Sequence, residues 1–173
     1  GYDAAGQAVS VTRPSGAATQ LTYDADGRIT RVADALGNID LGYDAAGRVT
    51  TFREGVNTPI SHTYDAAGRR ITYRDGFNST VNSVWDAAGR LAQLVYPSGH
   101  SVAYTYDVAG RLATVTDWAS RVTRYTWDAN SRLLKVERPN GTSQTLTYTA
   151  KGVMSTLREV GVARAVIVEC RFS

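Results

Sequence analysis

The sequence is poor in the residues that most often build cross-links, metal sites and acid–base chemistry. It holds a single cysteine, Cys170, so no disulfide can form within the chain. Its only histidines, His62 and His100, lack the spacing of metal ligands. No phosphate-cradling glycine loop, nucleophile elbow or His-Glu-x-x-His segment is present. These absences predict a non-enzymatic protein with no catalytic residues, no cofactor and no metal ligands.

Long hydrophobic runs are also missing. The longest apolar stretch is Ala165-Val166-Ile167-Val168, whereas a membrane-spanning helix needs about 20 residues. With 43% apolar residues, 20% charged residues and a net charge of +3, the composition is that of a folded chain, not a disordered one. The sequence pI is near 9.1, but the arginines recur singly beside aspartates and form no basic cluster. We therefore predict no membrane span and no nucleic-acid partner.

What the chain does have is an aromatic residue followed by aspartate, repeated along its length. Successive aromatics lie 21, 20, 21, 21, 21, 21 and 21 residues apart. A period of this kind indicates a tandem-repeat architecture. We assign residues 1–157 to an array of eight units, the first incomplete, and residues 158–173 to a degenerate terminal half-repeat that caps the array. The pairs are Tyr2-Asp3, Tyr23-Asp24, Tyr43-Asp44, Tyr64-Asp65, Trp85-Asp86, Tyr106-Asp107 and Trp127-Asp128, followed by the degenerate Tyr148-Thr149.

Each unit reads as two strands and two tight turns. In the unit that begins at residue 106, Asp107 can bond nearby backbone amides and Gly110 tolerates a positive φ, which predicts a turn. Residues 112–116 and 121–127 are rich in the β-branched and aromatic residues typical of strands. No segment has a helical period. The predicted fold class is all-β, with tandem antiparallel β-hairpins of about 21 residues that form a curved or spiralling single-layer sheet.

The two strands of a unit differ in their apolar pattern. In the second strand the large apolar residues lie two apart, as in Tyr104 and Tyr106, which places them on one face. In the first strand they lie three apart, as in Leu112 and Val115. A flat strand with one buried face does not fit a spacing of three. A β-bulge or partial burial of both faces would explain it, and the sequence leaves both open.

An aspartate and an arginine four residues apart recur in the turns. We interpret this pattern as structural: the aspartate caps the turn, while the arginine covers a neighbouring aromatic and pairs with a carboxylate. The same motif at every turn suits construction better than a single active centre. The predicted structural residues of the repeat motif are Tyr23, Asp24, Gly27, Arg28, Tyr43, Asp44, Gly47, Arg48, Tyr64, Asp65, Gly68, Arg69, Trp85, Asp86, Gly89, Arg90, Tyr106, Asp107, Gly110, Arg111, Trp127, Asp128 and Arg132.

The last residues keep the period, although their turn motif is lost. Ile167 occupies the slot of Leu146, so residues 164–168 read as one more second strand. Cys170 has no histidine or cationic cluster beside it in the sequence, so we expect a buried or idle thiol. The residues predicted as a possible assembly strand are Ala165, Val166, Ile167 and Val168.

Two segments carry a family resemblance: Tyr43-Asp44-Ala45-Ala46-Gly47-Arg48-Val49 and Tyr64-Asp65-Ala66-Ala67-Gly68-Arg69-Arg70-Ile71. They resemble the RHS or YD repeat family, and the resemblance covers essentially residues 1–157. It implies a spiralling β-sheet that closes as a hollow shell. In bacterial members such shells enclose a toxic C-terminal polypeptide, and in animal cell-surface relatives they form part of adhesion molecules. The resemblance also implies a secreted or cell-surface location.

Three functional hypotheses follow from a single sheet that leaves an aromatic-rich face and two strand edges uncovered. In the first, the chain is a segment of a shell that encloses a client, toxin-like polypeptide. In the second, secreted copies assemble through their edge strands into an extracellular fibre or a closed oligomer. In the third, the rows of Tyr and Trp bind glycans in an adhesion module. The partners would be further YD repeats or other copies of the chain, an enclosed polypeptide, or glycans.

Overall fold

A computed structural model describes residues 1–162 and 166–172, which form sixteen β-strands and, within these ranges, no helix. The strands are β1 (Ser10–Thr12), β2 (Ala18–Tyr23), β3 (Ile29–Asp34), β4 (Gly37–Tyr43), β5 (Val49–Glu54), β6 (Ile60–Tyr64), β7 (Arg70–Arg74), β8 (Thr80–Trp85), β9 (Leu91–Val95), β10 (Ser101–Tyr106), β11 (Leu112–Thr116), β12 (Val122–Trp127), β13 (Leu133–Glu137), β14 (Ser143–Tyr148), β15 (Met154–Val160) and β16 (Val166–Arg171).

The chain divides into two compact units, Gly1–Ser83 and Val84–Ser173. In the first unit, every strand from β1 to β7 pairs antiparallel with the strand that follows it. In the second unit, the same holds from β9 to β15. Within each unit, the described strands contact only their sequence neighbours, so each unit is a single-layer meander. The predicted all-β fold of tandem antiparallel hairpins is confirmed.

The aromatic–Asp corners are tight turns with one residue in the left-handed region. The Gly110 N–H donates to the Asp107 carbonyl at 2.9 Å, and the Asp107 N–H donates to the Arg111 carbonyl at 2.8 Å. Gly110 adopts a φ of 80°, and Ser131 adopts 62° at the equivalent position of a later corner. Left-handed backbone costs a residue with a side chain about 1–2 kcal/mol. The serine therefore holds a conformation that glycine adopts without strain.

A β-bulge follows the aromatic–Asp corner in five hairpins and the degenerate Tyr148-Thr149 corner in a sixth. Between β2 and β3, Tyr23 pairs with Ile29 whereas Thr22 pairs with Arg31, so the intervening residue of β3 has no opposite residue. The extra residue places Ile29 and Val32 on the same face although they lie three apart. Of the two explanations that the sequence leaves open, the structure shows the bulge.

The single 20-residue spacing arises at the turn between β3 and β4. There Asp34 pairs with Gly37, which leaves two residues between them. At the equivalent turn between β1 and β2, the Arg13 N–H donates to the Ala17 carbonyl at 2.8 Å and three residues lie between. The tighter reversal removes one residue from the period.

Strand pairing gives each unit two unlike faces. In the second unit, Tyr104 lies opposite Val115 on one face, and Thr105 lies opposite Thr114 on the other. Each unit has its own face of the first kind, here called its apolar face. In the first unit it carries Leu21, Tyr23, Val32, Ile39, Leu41, Tyr43, Phe52, Ile60, Tyr64, Tyr73 and Val81, and in the second unit it carries Leu94, Val102, Tyr104, Tyr106, Val115, Tyr125, Trp127, Val136, Leu146, Tyr148 and Leu157. The other, here called the polar face, carries mainly Thr, Ser, Arg, Asp and Gln.

The core of each unit is shallow. Among the described hydrophobic residues, only Val102 and Val136 are buried, at 9% and 8% exposure. The rest of the apolar face is half-buried, because each side chain is shielded by its neighbours in the sheet and by no second layer. An apolar surface of this kind usually binds something.

Candidate functional site

Asp107 shows the chemistry of an aromatic–Asp corner. Its Oδ1 accepts hydrogen bonds from the backbone N–H groups of Ala109 and Arg111, both at 2.9 Å, and its Oδ2 accepts one from Arg111 Nε at 2.7 Å. The hydrogen bonds from the Arg111 side chain and backbone hold the pKa of this carboxyl below its usual value. The same three bonds recur at Asp24, Asp44, Asp65, Asp86 and Asp128, each with a lowered pKa.

The corner arginine also reaches the next repeat. The guanidinium carbon of Arg48 lies 4.6 Å from the centre of the Tyr64 ring, and its Nη1 donates to the Asp65 carbonyl at 3.1 Å. This geometry is a cation–π contact combined with a backbone hydrogen bond. Arg28, Arg90 and Arg132 cover Tyr43, Tyr106 and Tyr148 in the same way, at 5.0, 4.5 and 4.8 Å.

The polar atom of the corner aromatic binds the preceding repeat, whereas the corner arginine reaches the following one. Tyr106 Oη donates to the Leu91 carbonyl at 2.8 Å, and Trp127 Nε1 donates to the Leu112 carbonyl at 2.7 Å. Each acceptor is the first residue of the preceding strand. Tyr23, Tyr43, Tyr64 and Tyr148 make equivalent bonds. Sequence reasoning missed these contacts, because they depend on which carbonyl the bulge turns towards the ring.

The corner carboxylates from Asp24 to Asp128 are engaged by arginine and are not arranged to bind a cation. Asp24 and Asp26 begin a segment that resembles a calcium loop, but both pair with Arg28 at 2.7 Å. Within residues 1–162 and 166–172, no three His, Cys, Asp or Glu side chains are placed to hold a metal ion. The helix search over the same residues finds nothing that could span a membrane.

His62 lies on the apolar face of the first unit. Its ring centre is 5.5 Å from that of Tyr73, and its Nδ1 is buried without a hydrogen-bond partner among the described residues. Burial, and secondarily the nearby charge of Arg70, lowers the pKa of His62. The neutral imidazole is therefore the favoured form in the folded chain.

The other sequence-predicted residues lie apart. His100 follows a turn, where its Nδ1 is 2.9 Å from Ser98 Oγ and its ring lies 5.4 Å from that of Trp118. Cys170 is exposed, so of the two expected alternatives, a buried or an idle thiol, the buried one is wrong. Cys170 lies in β16, opposite Leu157 of β15. Among the described residues, β15 is the only strand next to β16.

The predicted assembly strand is described in part. Val166 and Val168 belong to β16 and are 43% and 46% exposed. Ala165 and the side chain of Ile167 lie outside the described residues. The strand pairs antiparallel with β15, but its register differs from the one that its slot in the repeat predicts. Leu157 pairs with Cys170, whereas the equivalent Val136 pairs with Gln144, so β16 is shifted by five residues relative to the repeat.

Each repeat has a second turn, here called its second corner, which joins its first strand to its second strand. Sequence reasoning missed a set of exposed residues at these second corners. Three successive turns of the first unit carry an acidic residue followed two positions later by a large apolar one. The signal available in the sequence was that this acidic–apolar pair recurs once per repeat. These acid–apolar corners are Asp34 with Leu36, Glu54 with Val56, and Asp75 with Phe77.

Comparison with known proteins identifies the repeat. The RHS Repeat family matches residues 2–39, 23–55 and 85–122, which together span more than half of the chain. None of the curated proteins matches the sequence.

Solved structures share the fold. The chain is similar to one in the crystal structure of TcdB2-TccC3-Cdc42, with a TM-score of 0.76 and 16% identity over 98% of this chain and 11% of that one. It is also similar to the Tc holotoxin pore of Photorhabdus luminescens, with a TM-score of 0.72 and 19% identity over 90% of this chain and 9% of that one. A third similar structure is TcdB2-TccC3 without its hypervariable C-terminal region, at 0.76 and 16%, with coverage of 98% and 11%.

At these identities the likeness shows the fold alone, and the chain spans about a tenth of the length of these neighbours. The family match covers the aromatic–Asp corners at Tyr23, Tyr43 and Tyr106, whose tyrosine hydroxyls bind the preceding repeat. The chain is therefore a member of the RHS-repeat family.

Proposed function

We propose that the chain is a non-enzymatic wall segment of an RHS-repeat shell and that its apolar face lies against an enclosed, toxin-like polypeptide. The observation that carries the proposal is the contrast between the two faces. One presents half-buried Tyr, Trp, Leu and Val side chains, and the other presents Thr, Ser and charged side chains. A wall with water on one side and a polypeptide on the other requires this contrast.

The corner contacts support a structural role. Six corner aromatics donate to a backbone carbonyl of the preceding repeat, and four corner arginines bind their own aspartate and cover the next aromatic. These bonds use the polar groups that would otherwise be available for chemistry. The family that matches is a repeat family, which supports a non-catalytic scaffold.

The neighbours support the choice of client and location. One neighbour is named as a holotoxin pore, and another as lacking a hypervariable C-terminal region. By analogy, the chain would belong to a longer secreted or cell-surface protein whose other repeats complete the wall.

Site-specific photo-crosslinking tests the proposal. A benzophenone amino acid is placed at Thr123, which lies opposite Val115 on the apolar face, and in a matched variant at Thr126, which lies opposite Lys135 on the polar face. An unfolded, reduced and carboxymethylated polypeptide is then added as the client. We expect crosslinks from position 123 and few from position 126. Equal yields at the two positions would contradict an apolar client-facing surface.

Self-assembly is the second candidate, and β16 is the feature that favours it. Val166 and Val168 are exposed on a strand for which only β15 is a neighbour among the described residues. Exposed edges of this type can pair with another chain. Light scattering over a range of concentrations tests it: Val168→Lys should reduce association, whereas Val108→Lys, at an exposed corner, should not. A monomer at high concentration would exclude this candidate.

A glycan-binding role has less support from the geometry. Arginine covers one face of the rings of Tyr43, Tyr64, Tyr106 and Tyr148, and their hydroxyl groups donate to backbone carbonyls. Sugars stacked on aromatic platforms need a free ring face. A glycan array without signal above background would remove this hypothesis.

A further inference from the structure

The acid–apolar corners of the first unit form an exposed hydrophobic surface on the edge of the sheet opposite the aromatic–Asp corners. Leu36, Val56 and Phe77 are 94%, 102% and 92% exposed. They stand at the turns that join β3 to β4, β5 to β6 and β7 to β8. Three large apolar side chains at the tips of three successive turns are not required by folding, because they contact almost nothing.

Two cavities lie between these corners. The first, of about 480 Å³, is bordered by Leu36 and Val56. The second, of about 660 Å³, is bordered by Val56 and Phe77. The β4–β5 ladder also extends to the base of the turn that carries Val56, where the Gly55 N–H donates to the Asn38 carbonyl of β4 at 2.7 Å. The three tips and the two cavities between them therefore make a continuous, ridged surface.

The acidic side chains at this surface differ from those of the aromatic–Asp corners. Among the described residues, Asp34, Glu54 and Asp75 make no ion pair, whereas the aromatic–Asp corners pair their aspartates with arginine. Asp34 and Asp75 accept backbone N–H groups in their own turns, at 2.8 Å from Leu36 and Phe77. Three carboxylates beside three apolar tips favour a ligand that is both basic and apolar.

The spacing of the corners selects the shape of the ligand. Successive second corners are separated by two strands, which is about 10 Å at the usual strand spacing of about 4.8 Å. Seven residues of an α-helix advance about 10.5 Å and return to nearly the same face. An extended chain advances about 10 Å in three residues, but residues three apart point to opposite sides. A helix with an apolar residue in every heptad matches the surface, and an extended strand does not.

We propose that the acid–apolar corners are a docking site for a basic amphipathic helix of a partner protein. Apolar residues seven apart contact Leu36, Val56 and Phe77 and fill the two cavities between them. Lysine or arginine side chains next to those residues pair with the carboxylates of Asp34, Glu54 and Asp75. The site is on a turn edge, so it does not depend on whether the apolar face encloses a client.

Peptide binding measured by fluorescence anisotropy tests the docking site on the intact chain. The probe is a lysine-rich helical peptide with leucines seven residues apart over about three heptads. A peptide of the same composition, with leucines five apart, is its control. We expect the heptad peptide to bind at least tenfold more tightly and its affinity to fall as salt is raised.

Variants locate the site. Leu36→Ser combined with Phe77→Ser should weaken binding at least tenfold, and Glu54→Gln should reduce the salt dependence. All three side chains are exposed, so circular dichroism should show an intact fold. Val108→Ser, equally exposed but at an aromatic–Asp corner, should bind as the parent does.

Four results would overturn the proposal. Equal affinity for the two peptides would remove the heptad argument. Unchanged binding by the Leu36→Ser/Phe77→Ser variant, or an equal loss with Val108→Ser, would place the binding elsewhere. If the chain alone formed a dimer that the double variant dissolved, the occupant would be a second copy instead of a partner helix.

Discussion

Truncation of Tyr106 measures how much one repeat contributes to holding the next. The ring is partly buried, its Oη donates to the Leu91 carbonyl at 2.8 Å, and Arg90 lies 4.5 Å above it. Truncation of a fully buried aromatic side chain to alanine lowers the free energy of unfolding by about 3–5 kcal/mol. For a partly buried ring such as Tyr106 we expect about 2 kcal/mol from lost packing. The hydrogen bond adds about 1 kcal/mol, and the cation–π contact adds about 0.5–1. We therefore expect Tyr106→Ala to lower the free energy of unfolding by about 3–4 kcal/mol.

Urea unfolding followed by far-ultraviolet circular dichroism supplies the measurement. Tyr106→Phe removes only the hydroxyl and should cost about 1 kcal/mol. A double-mutant cycle with Arg90→Ala should give a coupling of about 0.5–1 kcal/mol between the guanidinium and the ring. Val108→Ala, at an exposed position, should change stability by less than about 0.5 kcal/mol. A loss below about 1 kcal/mol for Tyr106→Ala would show that the ring is a surface platform, and the reasoning would fail.

Three further predictions concern local strain and titration. Ser131→Gly should stabilise the chain by about 1 kcal/mol in the same urea assay, because Ser131 has a φ of 62°; no gain would mean that the turn is not strained. His62→Leu should raise the free energy of unfolding by about 1–2 kcal/mol, because it removes a buried nitrogen without a partner. Because the folded pKa of His62 is lowered, the parent should lose stability as the pH falls below about 6.5, and the variant should not show this loss. The corner aspartates also have lowered pKa values, so their contribution is present above about pH 4 and lost in acid. Asp128→Asn should flatten this acid limb, and an unchanged slope would contradict the role of Asp128.

The repeat period and the turn chemistry were sufficient to predict the fold. The alternation of Tyr104 and Tyr106 predicts a strand with one apolar face, and the structure places both residues on that face. Asp107 and Gly110 predict a tight corner, and the structure has one with a positive φ at Gly110. These features depend on residues that are close in the sequence, where local rules are strong.

Contacts between repeats could not be predicted in the same way. The three-residue spacing of Leu112 and Val115 was compatible with a bulge or with burial on both faces, and only the strand register distinguishes them. The reach of Tyr106 to the Leu91 carbonyl depends on that register too. The unpaired acidic groups of the second corners became visible only once the ion pairs of the other aspartates were known.

The corner bonds have a consequence for how the molecule forms during synthesis. The Tyr43 hydroxyl binds a carbonyl 14 positions earlier, and Arg48 binds one 17 positions later. Because such bonds span less than one repeat, each new hairpin can pair with the preceding hairpin as soon as it leaves the ribosome. Such a chain needs no distant segment to begin folding. Lengthening the gene by whole periods would extend the process without slowing its individual steps.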